Sequence, residues 1–219
     1  MQTTPADTVV RLMAHQATAW AGGARFDVRV WHRRAGKTFF TILRKLARLE
    51  ERGGGDWQAF YLAPTRVQAR QIAWPYLARF AAPLGATLAV GELKIILPGK
   101  GFIQLLGAEQ YDRLRGLYAD DVTLDEAADI PSAAWTEVLS PMLSDRKGRA
   151  TFMGTPRGRM NLLHQVYELA GGDDPDWSRS RLTWRDTGAL DEVEIQRNRK
   201  AMSEAQFRQE FECSFDGAL

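Results

Sequence analysis

The chain has 219 residues, room for one large domain or a domain with a small appendage. It is 45% hydrophobic and 26% charged, an ordinary globular balance, and its formal charge of +2 does not by itself mark a nucleic-acid binder. The single cysteine, Cys213, excludes an internal disulfide, and with the scattered His15, His32 and His164 it makes no zinc pattern. No apolar run approaches a membrane span, and the N-terminal MQTTPADTVVRLMAHQA lacks the layout of a signal peptide. These features together lead us to expect a cytoplasmic protein with no membrane partner.

In chain order, FDVRVW (26–31) reads as a short strand. Helical spacing of Phe39, Ile42, Leu43, Leu46 and Leu49 follows from Thr38 to Glu51, and Gly53-Gly54-Gly55 ends it. WQAFYLA (57–63) is the next strand. Pro64-Thr65 opens a helical run to about Phe80, with a kink or break expected at Pro75. ELKIIL and FIQLL flank PGKG (98–101) as a hairpin. VTL (122–124) is a strand ending in Asp125-Glu126. Asp121 fits it badly, being charged where the pattern expects an apolar residue. Pro131 stands at a helix start, with Trp135, Val138, Leu139 and Met142 on one face. ATFMG (150–154) is a strand, a helix follows from about Gly158 to Leu169, and GGDDPDW (171–177) is a linker by composition. SRLTW (180–184) is a candidate last strand. Beyond Leu190 the chain favours helix, with Phe207 and Phe211 four apart. Alternating strands and helices predict an α/β fold with a mostly parallel sheet, whose ligands sit at the carboxyl ends of the strands.

Three motifs fall at such handovers. VWHRRAGKTFF (30–40) carries Gly36-Lys37-Thr38, the ending of a phosphate-binding loop, although Trp31 replaces the first glycine of that pattern. Gly36 lets backbone N–H groups approach a phosphate, Lys37 suits β- and γ-phosphates, and the Thr38 hydroxyl suits Mg²⁺. In VTLDEAAD, adjacent carboxylates suit divided work: Asp125 on the Mg²⁺ water shell, Glu126 on the attacking water. FMGTPRG (152–158) ends a strand in Thr155, a small hydroxyl suited to sensing a γ-phosphate. Each fits an ordinary turn when read alone. Their order, a loop lysine, a strand-end Asp-Glu and a strand-end Thr, is the layout of an additional-strand (ASCE, RecA-like) P-loop ATPase.

WHRRAGKT, LAPTRVQAR, LRGLYADDVTLDEAADI, FMGTPRG and QEFECSF together resemble the ATPase domain of the large terminase subunit of tailed bacteriophages. The resemblance runs from His15-Gln16 to Phe215. It implies that Arg34, Ala35, Gly36, Lys37 and Thr38 form the Walker A loop for ATP, with Thr38 and Asp125 on Mg²⁺. Glu126 becomes the catalytic carboxylate of Walker B. Thr155 would couple hydrolysis to movement, and Gln16 would contact adenine. A loop arginine, Arg33 or Arg34, and a basic residue ahead of Walker B, Arg115 before Arg113, would act on the γ-phosphate, the latter in a neighbour's site.

The resemblance also implies double-stranded DNA, a ring of subunits expected to be a pentamer on the portal, the portal protein and a small terminase subunit as partners. The host cytoplasm is the expected location. The expected division is an ATPase core over 1–170 and a linker subdomain over 171–219, with the family's nuclease domain absent, by truncation or a split gene. Asp173, Asp174 and Asp176 read as solvated loop acids. Two other readings stay in view: a RecA-like helicase or translocase, and a nucleotide-binding assembly module without turnover.

Overall fold

The computed structural model of the protein describes residues 10–216. The first part of the signal-peptide reading, over residues 1–9, and the extreme end of the expected linker subdomain therefore lie outside the described residues. One sheet of eight strands organises the rest. The strands are β1 (Phe26–Trp31), β2 (Trp57–Ala63), β3 (Thr87–Ala89), β4 (Lys94–Leu97), β5 (Gly101–Gly107), β6 (Asp121–Asp125), β7 (Arg149–Gly154) and β8 (Trp177–Leu182). Their order across the sheet is β3-β4-β5-β2-β6-β7-β1-β8. Every pairing from β5 to β8 is parallel, and only β3-β4 and β4-β5 are antiparallel. The expected hairpin is thus the antiparallel margin of a parallel sheet.

Both faces are covered. Helix α1 (Ala14–Ala21) precedes β1, and α2 (Lys37–Arg52) follows it. A helical run over 66–81 follows β2: α3 (Arg66–Gln68), a π-turn (Ala69–Ala73) and α4 (Trp74–Ala81). Ile42, Leu46 and Leu49 of α2 and Ala73 and Leu77 of that run pack on Ala59, Tyr61, Ile103 and Leu105. On the other face, a π-stretch (Ala134–Leu139) running into α5 (Ser140–Met142), together with α6 (Leu162–Leu169), covers Phe60, Leu62, Val122, Leu124 and Phe152. Trp135, Val138, Leu139 and Met142 are all buried there, as their spacing predicts.

The break expected at Pro75 is taken up by the π-turn, after which Pro75 sits in the first turn of α4, where its missing N–H is harmless. Helix α6 starts later than Gly158, because Asn161 caps it by accepting from His164 N at 3.1 Å. Past α6, β8 pairs with β1 along its whole length, so the sheet continues beyond the expected division at 171. Helices α7 (Trp184–Thr187), α8 (Glu192–Ala201) and α9 (Glu204–Phe211) follow, the last two sharing a small core of Ile195, Phe207 and Phe211.

Asp121 is not an intruder in β6. Its carboxylate is buried and pairs with Lys45, and with Arg48 at 2.7 Å, both on α2. Alternation puts Asp121, Thr123 and Asp125 on one face of the strand. The helix above answers with charge at one end and the phosphate-loop threonine at the other.

Candidate nucleotide-binding site

The stretch 30–40 folds as strand, tight loop and helix start. Trp31 is the last residue of β1, buried, with its Nε1 donating to Ser180 Oγ at 2.9 Å and its ring against Phe40. It closes the strand, so the turn is carried by later residues. Gly36 sits at φ +76°, and a Cβ there would lie 2.6 Å from Gln16 Nε2. The left-handed backbone favours glycine, and any side chain there would have to displace the Gln16 amide. Arg34 also has a positive φ, +72°, which is uncommon outside glycine. Gly36 caps α2 without any side chain, so the first N–H groups of a 16-residue helix are left for an anion.

The loop is braced from both sides. His15 Nε2 lies 3.0 Å from Ala35 O, and Gln16 Nε2 lies 3.5 Å from the carbonyls of Ala35 and Gly36. Gln16 is buried, and its Oε1 accepts from Met13 N. From the C-terminal side, His32 N donates to Leu182 O at 2.9 Å and Arg33 N to Glu210 O at 2.8 Å. Lys37 folds back over the loop, its Nζ donating to Trp31 O at 2.8 Å and His32 O at 3.1 Å.

The end of β6 meets the start of α2. Thr38 Oγ1 lies 3.4 Å from Asp125 Oδ2. Tyr61 of β2, also buried, donates its hydroxyl to the same Asp125 oxygen. Asp125 Oδ1 accepts from Glu126 N at 3.0 Å. Burial raises the Asp125 carboxyl, against the pull of the Tyr61 hydrogen bond and of Lys37. Glu126 turns the chain at φ +47°. Burial, and then the neighbouring Asp125, raise its carboxyl to about 7, and its Oε2 is buried with no partner. An orphaned acceptor beside a phosphate loop suits a group that arrives with the substrate. Buried Thr155 follows β7, with its backbone N–H towards Glu126, and Gly154 lies beside the Glu126 backbone, where a Cβ would make an ordinary contact with Glu126 Cα at 3.4 Å.

Lys37, Thr38, Asp125, Glu126, Thr155 and Gln16 are therefore gathered at one place. Arg33 and Arg34 point their side chains to solvent at its rim. Arg115 is elsewhere: it is exposed, and its polar partners are Asp112 at 2.9 Å and Glu137 at 2.8 Å. Arg113 is exposed on a separate groove with Arg66 and Lys94. Tyr61 is the residue that sequence reasoning missed. Strand alternation marks it as a core aromatic; its hydroxyl is the only hint that it serves a polar partner.

This fold, with a glycine-started helix over a strand-end carboxylate pair, defines the α/β P-loop, RecA-like class. Residues 32–217 match the family described as terminase large subunit, T4likevirus-type, N-terminal, and the chain belongs to that family. It is 30% identical over 198 residues to the terminase large subunit of Escherichia phage T5, a match covering 87% of this chain and 44% of that protein. Over 62 residues it is 45% identical to the terminase large subunit of Thermus phage G20c, 28% of this chain and 12% of that one. The chain thus spans less than half the length of the T5 relative.

Among solved structures, the Thermus phage P74-26 large terminase ATPase domain superposes with a TM-score of 0.80 at 23% identity, covering 98% of this chain and 100% of that domain. The large terminase of another thermophilic bacteriophage, in complex with ADP, superposes at 0.78 and 14% identity, over 94% of this chain and 54% of that one. At these identities the superpositions establish the fold. Among the described residues no helix is long and apolar enough to cross a membrane.

Proposed function

We propose that this chain binds ATP with Mg²⁺ and hydrolyses it to ADP and phosphate, and that the turnover drives double-stranded DNA into a viral procapsid. The observation that carries the reading is the meeting of Thr38, Asp125 and Glu126, whose Oε2 is buried without a partner, at the uncapped start of α2. Family membership supports the packaging role. The thermophilic-phage large terminase solved with ADP and with ATP-γ-S supports the nucleotide.

In this reading the helix-start N–H groups and Lys37 receive the β- and γ-phosphates, Lys37 giving up its two loop carbonyls to do so. Thr38 and Asp125 would hold Mg²⁺. Their hard oxygen donors fit it, and phosphate and water oxygens would complete its shell. Bound there, the ion would neutralise charge on the phosphates. Glu126 orients the attacking water and is placed to accept its proton. Thr155, next to Glu126, passes the change onward. Gln16 reads the base, Arg33 or Arg34 steadies the γ-phosphate, and Arg115, with Arg113 as second choice, reaches the neighbour's site in a ring on the portal, in the host cytoplasm. The small terminase subunit is a further partner.

The test is steady-state ATP hydrolysis against protein concentration, for the native chain and Glu126→Gln. Turnover that rises faster than linearly, and falls at least about a hundredfold in the variant while ATP still binds, is the expected outcome. Unchanged turnover in Glu126→Gln would remove this residue from catalysis and the reading with it.

A further inference from the structure

Arginines of α2 and β7 converge where the nucleotide chemistry has no use for them. Arg44, Arg48 and Arg52 stand four apart on α2 and form one stripe down its C-terminal half. Arg149, at the start of β7, joins them. With Trp20, Gly22 and Gly23 these four arginines line a cavity of about 280 Å³, whose lining includes a single carboxylate, Glu51. Arg48 lies 11 residues beyond Lys37 (48 − 37), or ~16 Å along the helix axis, so this is not the phosphate loop.

Of the nearby acids, the exposed Glu51 makes no salt bridge among the described residues, and two others are committed. Asp121 serves Lys45 and Arg48, and Asp27 serves Arg29 at 2.5 Å. Backbone carbonyls take some of the donors: Arg44 bonds Trp20 O, and Gly22 O at 2.9 Å, while Arg149 bonds Gly23 O at 2.8 Å and Ala24 O at 2.6 Å. Carbonyls satisfy hydrogen bonds but cancel no net charge. The Arg52 side chain makes no hydrogen bond or salt bridge among the described residues, and the Nε atoms of Arg44 and Arg149 are buried without acceptors. The crowding is felt by the guanidiniums themselves. Burial, then Arg48 and Arg29, lower Arg44 to about 10, and burial, then Arg48, lower Arg149. Clamping of carbonyls accounts for Arg44 and Arg149. It does not account for Arg52, which lines the same cavity beside the Asp121-paired Arg48 with little opposing charge.

We propose that this cavity is a second anion site, binding a phosphate-type oxyanion through Arg48, Arg52 and Arg149, apart from the nucleotide loop. Guanidinium forks match phosphate oxygens in geometry as well as charge. Two sources carry that chemistry: free inorganic phosphate or pyrophosphate, and the backbone of duplex DNA.

Arg52→Ala separates the site from the fold, because Arg52 is exposed and holds nothing else in place. Arg149→Lys is the second variant, keeping the charge and losing the fork. Thermal unfolding is followed as inorganic pyrophosphate is titrated with ATP-γ-S saturating the loop. Binding of a short DNA duplex is followed by anisotropy across a salt series. If the source is a free anion, pyrophosphate raises the native Tm. The rise then needs about tenfold more pyrophosphate in Arg52→Ala, with the ATP-γ-S response unchanged. If the source is DNA, pyrophosphate leaves Tm alone, duplex affinity falls several-fold in Arg52→Ala, and the log–log salt slope drops by about one. Arg149→Lys weakens whichever response is present. The proposal is overturned if neither probe binds outside the nucleotide loop, or if Arg52→Ala responds to both as the native chain does.

Discussion

Tyr61 shows how much of a site can sit in one hydroxyl. It is fully buried, between α2 and the end of β6, and its O–H reaches the Asp125 oxygen that Thr38 also approaches. A buried carboxylate needs such donors, since burial otherwise favours its neutral form. Tyr61→Phe keeps the ring and removes the donor. We expect it to lower stability by ~1–3 kcal/mol, the cost of leaving a buried acceptor short of a partner, measurable by urea unfolding. No change in the unfolding midpoint would mean that Asp125 does not depend on this bond. The residues around it were unequally legible. Lys37, Thr38, Asp125 and Glu126 stand out in the sequence because a phosphate site would limit which types can stand there and in what order, and the structure gathers them at one place. Tyr61 announces only a core strand. Trp31 misleads in the other direction: it looks like a damaged loop glycine, yet it ends a strand, and the left-handed turns fall on Arg34 and Gly36.

At the scale of elements, β6 is held under α2 by polar contacts at both of its ends. Asp125 meets Thr38 and Asp121 meets Lys45 and Arg48, so helix and strand share one register. Burial would raise the Asp121 carboxyl, but Lys45 and Arg48 outweigh it and hold it low, while burial pushes Lys45 down. Removing one partner strands the other. Asp121→Ala should cost ~3–5 kcal/mol in chemical unfolding, because Lys45 is left charged and unpaired in the core. A loss under ~1 kcal/mol would place this pair among weak surface ion pairs. This is why a charge read as a flaw in the strand is part of its anchoring: alternation tells which face a residue takes, not whether a buried partner waits there. Periodicity located β1 and β2 at their observed bounds. It passed over α1 and the three-residue β3, which are too short to show a period.

Over the whole molecule, the phosphate loop is the place where distant parts of the chain are tied together. Residue 32 bonds the end of β8 through its backbone and α7 through its ring, and residue 33 bonds α9. The segment after 190, legible only as helix-favouring, thus supports the loop through backbone atoms that no side-chain pattern reveals. His32 lies at the centre of this junction, buried, with Nε2 2.6 Å from Thr187 Oγ1 and Nδ1 without a partner. Burial lowers its pKa to about 4, with Lys37 and His15 adding to the effect and the Arg33 backbone and Asp186 opposing it. The folded value lies below the ordinary value of about 6.5, so the unfolded chain takes up the proton first as pH falls. Stability from a neutral His32 is complete above about pH 6.5 and declines towards pH 4, by at most ~1.4 kcal/mol per pH unit. Urea unfolding at pH 7.5, 6 and 5 should show that decline. His32→Gln, polar but unable to charge, should flatten it relative to the native chain, since carboxylates titrate alike in both. Parallel pH profiles for the two proteins would mean that the junction accepts a charged His32, and that the tie between the loop and the C-terminal helices is looser than these contacts imply.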